Sequence, residues 1–354
     1  MEICLYDPIA GYYSRHAGQF GKAGDFYTSS DVHAVFGRLL ARQFEEMWQV
    51  LDRPPRLEIL ELGPGRGLFA RDVLDWSRKK FPDFFAVLTH TLQESSPALR
   101  AKLRENLREH IESGKATVPE EQSTLFHASS TATALIVFAN EFFDALPVEI
   151  LSTRGKLHLA FEEKRLTEVW LPPAAKELEL LDHYGVHPEG DERIEVCLPA
   201  QRWMKQITNA IGRGFLLVID YGYTRNEQLA GRYRGTLMAY RQHSASPNSY
   251  QAPGEQDLTA HVNFTALTAA AGHAGMRPEK LVTQSQFLMG VGEKNQFADA
   301  FEECRLPQER AKVALQLKHL VTPAGMGETF HVLLASRGVE PGKLAELSGL
   351  RFGL

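Results

Sequence analysis

Cysteine is scarce in this chain of 354 residues, which has only Cys4, Cys197 and Cys304. The three lie far apart and form no CxxC pair or Cys/His cluster, so neither a disulfide framework nor a zinc site is indicated. A reducing compartment fits this pattern. No run of about 18 apolar residues is present, and the start shows no signal-peptide pattern. The sequence therefore gives no indication of export or of a membrane span.

A surplus of basic residues is also missing. The chain carries 39 basic and 44 acidic side chains, for a net charge of −5, so nucleic acid and anionic membranes are not indicated as partners. We find no internal repeat and no low-complexity tract. With 44% hydrophobic and 23% charged residues, the chain can bury a full core, which predicts a globular protein of one large domain plus an elaboration.

The most informative stretch is residues 57–67, LEILELGPGRG. A short apolar strand runs into Glu61 and then into Gly63, Gly65 and Gly67, which let the backbone turn sharply and approach a ligand. A dinucleotide fingerprint, GxGxxG, would have its third glycine one residue later. The order found here is typical of S-adenosylmethionine methyltransferases, whose cofactor carries an ammonium group that attracts a carboxylate. A glycine-rich turn that binds nothing is the alternative.

From this turn onward strands and helices alternate, as in a parallel sheet covered by helices. The predicted strands are residues 57–62, 86–93, 134–139 and 214–219, and the predicted helices between them are 69–80 and 97–112. A last strand, 329–336, fits the hairpin with which methyltransferase sheets end. The predicted fold is α/β: a mostly parallel, Rossmann-like sheet of the class I methyltransferase type with helices on both faces.

Two segments interrupt this order. Residues 149–212 read as an insertion, with two short hairpins in 149–171 followed by a helix and a short strand. Residues 225–256 show little periodicity and are predicted to form a long substrate-side loop. The methyltransferase domain is accordingly predicted to comprise residues 1–148 and 213–354.

Further cofactor contacts are predicted on either side of the glycine turn. Glu94 follows the second predicted strand, where a carboxylate can accept hydrogen bonds from ribose hydroxyls. A solvated acid near a helix start is the alternative. Asp25 and Thr28 precede a long apolar-faced helix, so this segment can close over the cofactor, with Thr28 donating to the cofactor carboxylate. The same residues also suit a capping turn.

The predicted catalytic residues follow two other strands. Residues 140–147, NEFFDALP, stand where open parallel sheets place reactive groups. Glu141 and Asp144 can hold a guanidinium and accept its proton, and we favour Glu141 over Asp144. His261 is a further candidate proton acceptor, and Tyr221 can stack on a substrate. The alternatives are a capped turn at Glu141, a structural hydrogen-bonding role for His261 and simple packing of Tyr221. This direct displacement needs no metal ion.

Several motifs spread along the chain resemble those of the MidA family. They are residues 5–8 (LYDP), 11–13 (GYY), 24–29 (GDFYTS), 36–37 (FG), 61–67, 140–147, 220–222 (DYG), 257–262 (DLTAHV) and 326–328 (MGE). The resemblance covers nearly the whole chain. It implies S-adenosylmethionine binding and methylation of an arginine in a partner protein, because the mitochondrial members of the family are complex I assembly factors that do this. Family members usually carry a longer segment before the LYDP motif, which leaves open whether the natural chain begins before Met1.

The substrate and the cellular location follow from the resemblance only as expectations. The partner is expected to be a protein, either a respiratory complex I subunit or another arginine-bearing protein. The expected location is the cytoplasm for a bacterial protein and the mitochondrial matrix for a eukaryotic one. A non-catalytic assembly protein on a methyltransferase scaffold and a small-molecule methyltransferase remain alternatives. A dinucleotide oxidoreductase is disfavoured by the glycine spacing.

Overall fold

The first half of the chain folds as helices and strands that alternate after a short helical start. The computed structural model describes residues 1–15, 34–120, 133–162, 165–228, 235–241 and 244–352. Up to residue 171 the elements are α1 (Glu2–Tyr6), α2 (Tyr12–Arg15), α3 (Ala34–Val50), β1 (Leu57–Leu62), α4 (Leu68–Lys80), α5 (Pro82–Val87), β2 (Leu88–Gln93), α6 (Pro97–Asn106), α7 (Arg108–Glu112), β3 (Ala116–Thr117), β4 (Ala134–Asn140), β5 (Glu149–Ser152), β6 (Gly155–Glu162) and β7 (Arg165–Leu171).

The second half adds the remaining strands of the sheet and the helices that cover it. These elements are α8 (Ala175–Tyr184), β8 (Ile194–Val196), α9 (Leu198–Ala210), β9 (Gly214–Tyr223), α10 (Arg225–Gln228), β10 (Met238–Arg241), β11 (Ser244–Ser246), β12 (Asp257–Thr259), β13 (Val262–Asn263), α11 (Phe264–His273), β14 (Arg277–Pro278), β15 (Val282–Thr283), α12 (Gln284–Glu293), α13 (Ala298–Phe301), α14 (Pro307–Val321), β16 (Phe330–Arg337), α15 (Pro341–Leu344) and a 3₁₀ turn (Ser348–Leu350).

The central sheet has the strand order β14-β16-β9-β4-β1-β2-β3, with β13 beside β9 and β15 beside β16. Strands β1, β2, β3, β4 and β9 run parallel, whereas β16 pairs antiparallel with β9. The predicted α/β fold with a mostly parallel sheet and an antiparallel last strand is confirmed. Because β1, β2, β4 and β9 point the same way, their carboxyl ends lie along one edge of the sheet.

Apolar cores cover both faces of the sheet, as successive strand residues point to opposite sides. Ile59 packs in the larger core with Phe44 and Phe69, from α3 and α4. The next residue, Leu60, packs in the second core, to which α9 and α11 also contribute. Because helices cover both faces of the sheet, the parallel strands are left open at their carboxyl ends. Parallel sheets bind their ligands at this edge.

The two interrupting segments form small antiparallel sheets. Residues 149–212 contain one with the order β7-β6-β5-β8, together with α8. Residues 225–256 differ from the prediction of a long loop, because they contain α10, β10 and β11, and β10 pairs with both β11 and β12. These strands have only three or four residues, too few to show an alternating pattern in the sequence.

Two predicted boundaries also change. The second strand begins at Leu88 rather than at residue 86, since Pro82 starts the short helix α5 in its place. The helix predicted over residues 97–112 is divided into α6 and α7 at Leu107. Within the described ranges, every helix is too short or too polar to cross a lipid bilayer.

Candidate active site

A cavity of about 460 Å³ opens at the carboxyl edge of the sheet. Its lining joins the glycine turn after β1 to Glu94 after β2 and Glu141 after β4. It continues to Tyr221, near the end of β9. The volume lies within the range of small-molecule sites in proteins, about 300–1,000 Å³. The carboxyl edge of the sheet therefore carries a pocket large enough for a small-molecule ligand. Acidic side chains lie in it at the ends of several strands.

The three glycines of the turn have different neighbours. All three have left-handed backbones, with φ of 65° at Gly63, 55° at Gly65 and 74° at Gly67. A Cβ at Gly67 would stand 2.4 Å from a methyl group of Leu103, so this glycine permits close packing on α6. A Cβ at Gly65 would meet nothing within 4 Å. Gly65 therefore exposes its backbone to the open cavity.

Glu61 lies at the cavity wall and is almost fully buried, with 4% of its surface exposed. Its Oε2 is 2.9 Å from Nε2 of the buried His90 on β2, but the two atoms are not aligned for a hydrogen bond. Polar atoms buried without an aligned partner are costly, so such a carboxylate is suited to a ligand's cationic group. The structure thus places Glu61 next to the glycine turn, as predicted.

Glu94 is held at the cavity by the start of the next helix. Its Oε1 accepts a hydrogen bond from the Ser96 amide at 2.9 Å, and an Arg100 guanidinium nitrogen donates to the Glu94 carbonyl at 2.9 Å. Burial raises the pKa of the Glu94 carboxyl to about 7, although the amides of Ser96, Ser95 and Gly65 lower it. The Gly65 contribution shows that this carboxyl and the glycine turn border the same space.

Glu141 occupies a strained position directly after β4. Its φ of 50° is rare for a residue with a side chain, and such strain is often found at functional sites. The Glu141 amide donates to the Ile219 carbonyl at 3.0 Å, and the Asn140 side-chain amide donates to Glu141 Oε1 at 3.2 Å. The main chain of Glu141 is thus held by β9, and its carboxylate is held at the cavity wall by its neighbour on β4.

Asp220, to which no role was assigned from the sequence, organises the turn that carries Glu141 and Asp144. It is fully buried, and its Oδ2 accepts hydrogen bonds from the amides of Phe142, Phe143 and Asp144 at 3.2, 3.0 and 3.3 Å. Burial raises the pKa of Asp220 well above its ordinary value, as do the charges of Asp144 and Glu141. The signal for this role is an acid that directly follows a continuous apolar run within β9.

Asp144 is buried at the cavity, with 5% of its surface exposed. The Tyr221 hydroxyl donates to its Oδ2 at 2.6 Å, whereas its Oδ1 has no aligned hydrogen-bond partner among the described residues. Burial raises the pKa of Asp144 to about 6, and the Tyr221 hydrogen bond opposes this rise, as do the amides of Ala145 and Asp144. A carboxyl with this pKa can accept a proton near neutral pH.

His261 also lines the cavity, where its ring meets the Tyr221 ring edge-on with centroids 5.3 Å apart. Its amide donates to the Thr236 hydroxyl at 2.9 Å. The structure therefore brings the three predicted catalytic residues, Glu141, Asp144 and His261, to one wall. The predicted cofactor contacts Asp25 and Thr28 lie outside the described residues.

Residues 39–282 match the family model of an S-adenosyl-L-methionine-dependent methyltransferase. The chain belongs to this methyltransferase family. Its curated relatives include the mitochondrial protein arginine methyltransferase NDUFAF7 of Danio rerio, 27% identical over 93% of this chain and 80% of the relative. The homologue of Drosophila melanogaster is 26% identical over 96% of this chain and 80% of its own.

A solved structure shows the same fold with a ligand. It is the crystal structure of a related protein from Burkholderia thailandensis bound to S-adenosyl-homocysteine, with a TM-score of 0.83 and 27% identity, covering 96% of this chain and 87% of that one. Together with the family match, it shows that this chain is an enzyme, a class I methyltransferase that uses S-adenosylmethionine. The prediction of this cofactor is confirmed.

The residues of the methyltransferase site fit its cofactor. The open space at Gly65 allows a ligand to approach the backbone, and the carboxyl groups of Glu61 and Glu94 border that space. The individual contacts assigned to these residues, and the catalytic roles of Glu141, Asp144 and His261, stay predictions.

Several lining residues of the methyltransferase cavity received no role from the sequence. They are Tyr6, Tyr13, Tyr240, Asp257, His319 and Phe330. Tyr6 and Tyr13 come from the two N-terminal helices, far from the strands that carry the other site residues. Their signal in the sequence is the recurrence of tyrosine and aspartate in the LYDP, GYY and DLTAHV motifs, which reveals no spatial contact by itself.

Proposed function

We propose that this methyltransferase transfers a methyl group to a guanidinium nitrogen of an arginine side chain in a partner protein. The observation that carries the proposal is the charge of the cavity beyond the glycine turn. Among the described residues, three acidic side chains line it there, Glu141, Asp144 and Asp257, whereas the one permanently basic lining residue, Arg66, belongs to the turn itself. A pocket with this charge favours a cationic acceptor group. Relatives named as protein arginine methyltransferases support the same conclusion.

Each predicted site residue has a task in this reaction. Glu61, Gly63, Gly65, Gly67 and Glu94 would hold S-adenosylmethionine, which supplies a methyl group on a positively charged sulfur. Asp25 and Thr28 stay predicted cofactor contacts, with Thr28 donating to the cofactor carboxylate. Glu61 attracts the cofactor ammonium, and Glu94 accepts hydrogen bonds from its ribose. The glycine turn leaves the backbone room for this ligand.

The acceptor side requires positioning and removal of a proton. Glu141 holds one side of the guanidinium, which localises its charge and turns another nitrogen toward the methyl carbon. A nitrogen–carbon bond forms as the sulfur–carbon bond breaks, and the nitrogen loses one proton. Asp144 is suited to accept that proton because burial brings its pKa to about 6. Glu141, the residue favoured from the sequence, and His261 stay the alternative proton acceptors.

The partner is proposed to be a protein with an accessible arginine. A subunit of respiratory complex I is the first candidate, on the MidA resemblance and on the mitochondrial relatives. The corresponding location is the mitochondrial matrix for a eukaryotic source and the cytoplasm for a bacterial one. Neither nucleic acid nor a membrane is proposed as a partner.

Methyl-labelled S-adenosylmethionine tests this function when it is added with the enzyme to an extract of the source cells. We expect the label in the protein fraction, and we expect Glu141→Gln to reduce it at least tenfold while S-adenosyl-homocysteine binding is retained. Glu105→Gln, an exposed position on α6, is the matched control. Label confined to small molecules would contradict the protein substrate, and no transfer from a cofactor-saturated enzyme would favour a scaffold protein.

A further inference from the structure

Asp257 is a further buried carboxylate that lines the cavity together with Asp144. It begins β12, is 2% exposed and pairs across the small sheet with Tyr240 of β10. The Tyr13 hydroxyl donates to Asp257 Oδ1 at 2.8 Å, and the Leu258 amide donates to the same oxygen at 3.0 Å. Asp257 is thus held by a tyrosine in the same way that Tyr221 holds Asp144.

Tyr6 lies close enough to the carboxylates of Asp144 and Asp257 to interact with their charges. Its hydroxyl donates to the Ala145 carbonyl at 2.9 Å, next to Asp144. Burial raises the pKa of Tyr6 well above its ordinary value, and the charges of Asp257 and Asp144 are the next causes. Tyr6, Tyr13, Asp144, Tyr221 and Asp257 therefore form one group at the cavity wall, called here the acceptor cluster.

The chemistry of the acceptor cluster suits a planar cation. Carboxylates taken out of water are stabilised by an opposite charge or by hydrogen bonds. Asp144 Oδ1 is buried at this wall with no aligned donor among the described residues. The tyrosine hydroxyls donate to Asp144, Asp257 and the main chain, and the three tyrosines line the cavity, where aromatic rings favour a cation. A guanidinium supplies both the missing donors and a flat charged surface.

We infer that the acceptor cluster is the binding site for the cationic head of the substrate side chain, with Asp144 and Asp257 contacting it from two sides. Tyr13 and Tyr221 are positioning residues that orient these carboxylates. The inference deepens the proposed function, since it assigns cation recognition to Asp257 and to the N-terminal helices in addition to Glu141. It also explains why α1 and α2 pack on β10 and β12, through Leu5, Tyr12, Ala239 and Leu258.

Cofactor analogues that reach into the acceptor end test the inference without a known protein substrate. In each, nitrogen replaces the sulfur of S-adenosyl-homocysteine and carries a short alkyl chain ending in guanidine, primary amine or urea. Urea matches guanidine in shape but is neutral. Calorimetry should show the guanidine analogue binding about tenfold to a hundredfold more tightly than the urea analogue, the range for hydrogen bonds to charged groups.

Variants then show which residues produce this preference. Asp257→Asn should remove most of the preference for the guanidine analogue over the urea analogue, and Tyr13→Phe should remove part of it. Both variants should keep their affinity for S-adenosyl-homocysteine. The exposed Asp191→Asn is the matched control and should retain the full preference. Retained binding of S-adenosyl-homocysteine shows that a variant is folded. If Asp257→Asn does not fold, Tyr13→Phe, which removes only one oxygen atom, provides the test.

The outcomes separate this inference from the proposed function. Equal binding of the guanidine and urea analogues by the unmodified enzyme would overturn the acceptor cluster as a cation site. An undiminished preference in both folded variants would overturn the roles of Asp257 and Tyr13. If the amine analogue bound more tightly than guanidine and depended on Asp257, the cation site would stand while the arginine substrate would fail.

Discussion

At the scale of single residues, the environment of Asp144 determines what its carboxyl can do. Burial favours the neutral form, and the hydrogen bond from Tyr221 favours the charged form. The result is a group that is ionised at neutral pH yet retains some affinity for a proton. An exposed aspartate, with a pKa near 4, would be a much weaker base.

The pH dependence of methyl transfer should report this group. Asp144 accepts a proton only when ionised, so we expect the rate at saturating substrates to fall as the pH drops through about 6. Tyr221→Phe removes a bond that lowers the Asp144 pKa, so the midpoint should move to higher pH, by about one to two pH units. Single-turnover rates across this pH range measure the shift.

The control for this pH profile is Tyr184→Phe, which removes a hydroxyl outside the cavity lining. It should leave the midpoint in place. An unchanged midpoint in Tyr221→Phe would show that Asp144 is not the group that controls the rate.

At the scale of elements, the glycine turn allows the stability cost of backbone strain to be measured separately from the effect of a side chain on ligand binding. Gly65 and Gly114 both have left-handed backbones, with φ of 55° and 72°, and a Cβ on either would meet nothing within 4 Å. We expect alanine at each to lower the free energy of unfolding by a similar amount, about 1–2 kcal/mol. Only Gly65→Ala adds a methyl group to the cavity lining, so it alone should weaken S-adenosyl-homocysteine binding, by about tenfold or more.

Calorimetric binding and urea unfolding of the two glycine variants measure these effects. Equal affinity in Gly65→Ala and Gly114→Ala would mean that the ligand does not approach the backbone at Gly65.

Asp220 connects two elements, since a side chain on β9 satisfies three amides of the turn after β4. Asp220→Ala leaves these amides buried without an acceptor, and we expect the free energy of unfolding to fall by about 2–4 kcal/mol. Asp220→Asn keeps one acceptor oxygen and should cost less. Methyl transfer should fall further than cofactor affinity in both variants, because the turn carries Glu141 and Asp144. A loss of less than about 0.5 kcal/mol in Asp220→Ala, typical of surface changes, would contradict this role.

The strands differ in how well they can be predicted from the sequence. Strand β1 was predicted with its observed bounds, because six apolar-rich residues end in a glycine turn. The strands β10 and β11 were missed because they have only three or four residues, and because β10 also pairs with β12, more than ten residues beyond it in the chain. Local pattern identifies long buried strands and fails for short strands whose stability comes from distant partners.

At the scale of the whole molecule, the proposed cofactor end of the cavity is built at β1 and β2, and the proposed acceptor end is built from the N-terminal helices, β9, β12 and the turn after β4. Glu61, Glu94 and Glu141 could be predicted to lie at the carboxyl edge of the sheet because each lies at the end of a recognisable strand or directly after one. The contact of Tyr13 with Asp257, 244 residues later in the chain, could not, because no local pattern encodes it. The sequence motifs that contain Tyr13 and Asp257 indicated that these residues matter. They gave no information on where the two residues lie in the fold.

The central claim is that one cavity joins a cofactor end to an acceptor end for arginine. Its most direct test is to hydrolyse the protein labelled by this enzyme and its methyl-labelled cofactor and to identify the amino acid that carries the label. The account predicts label in methylated arginine, strongly reduced by Glu141→Gln and by Asp144→Asn and unchanged by Asp191→Asn. Label in methylated lysine or in another amino acid would contradict it.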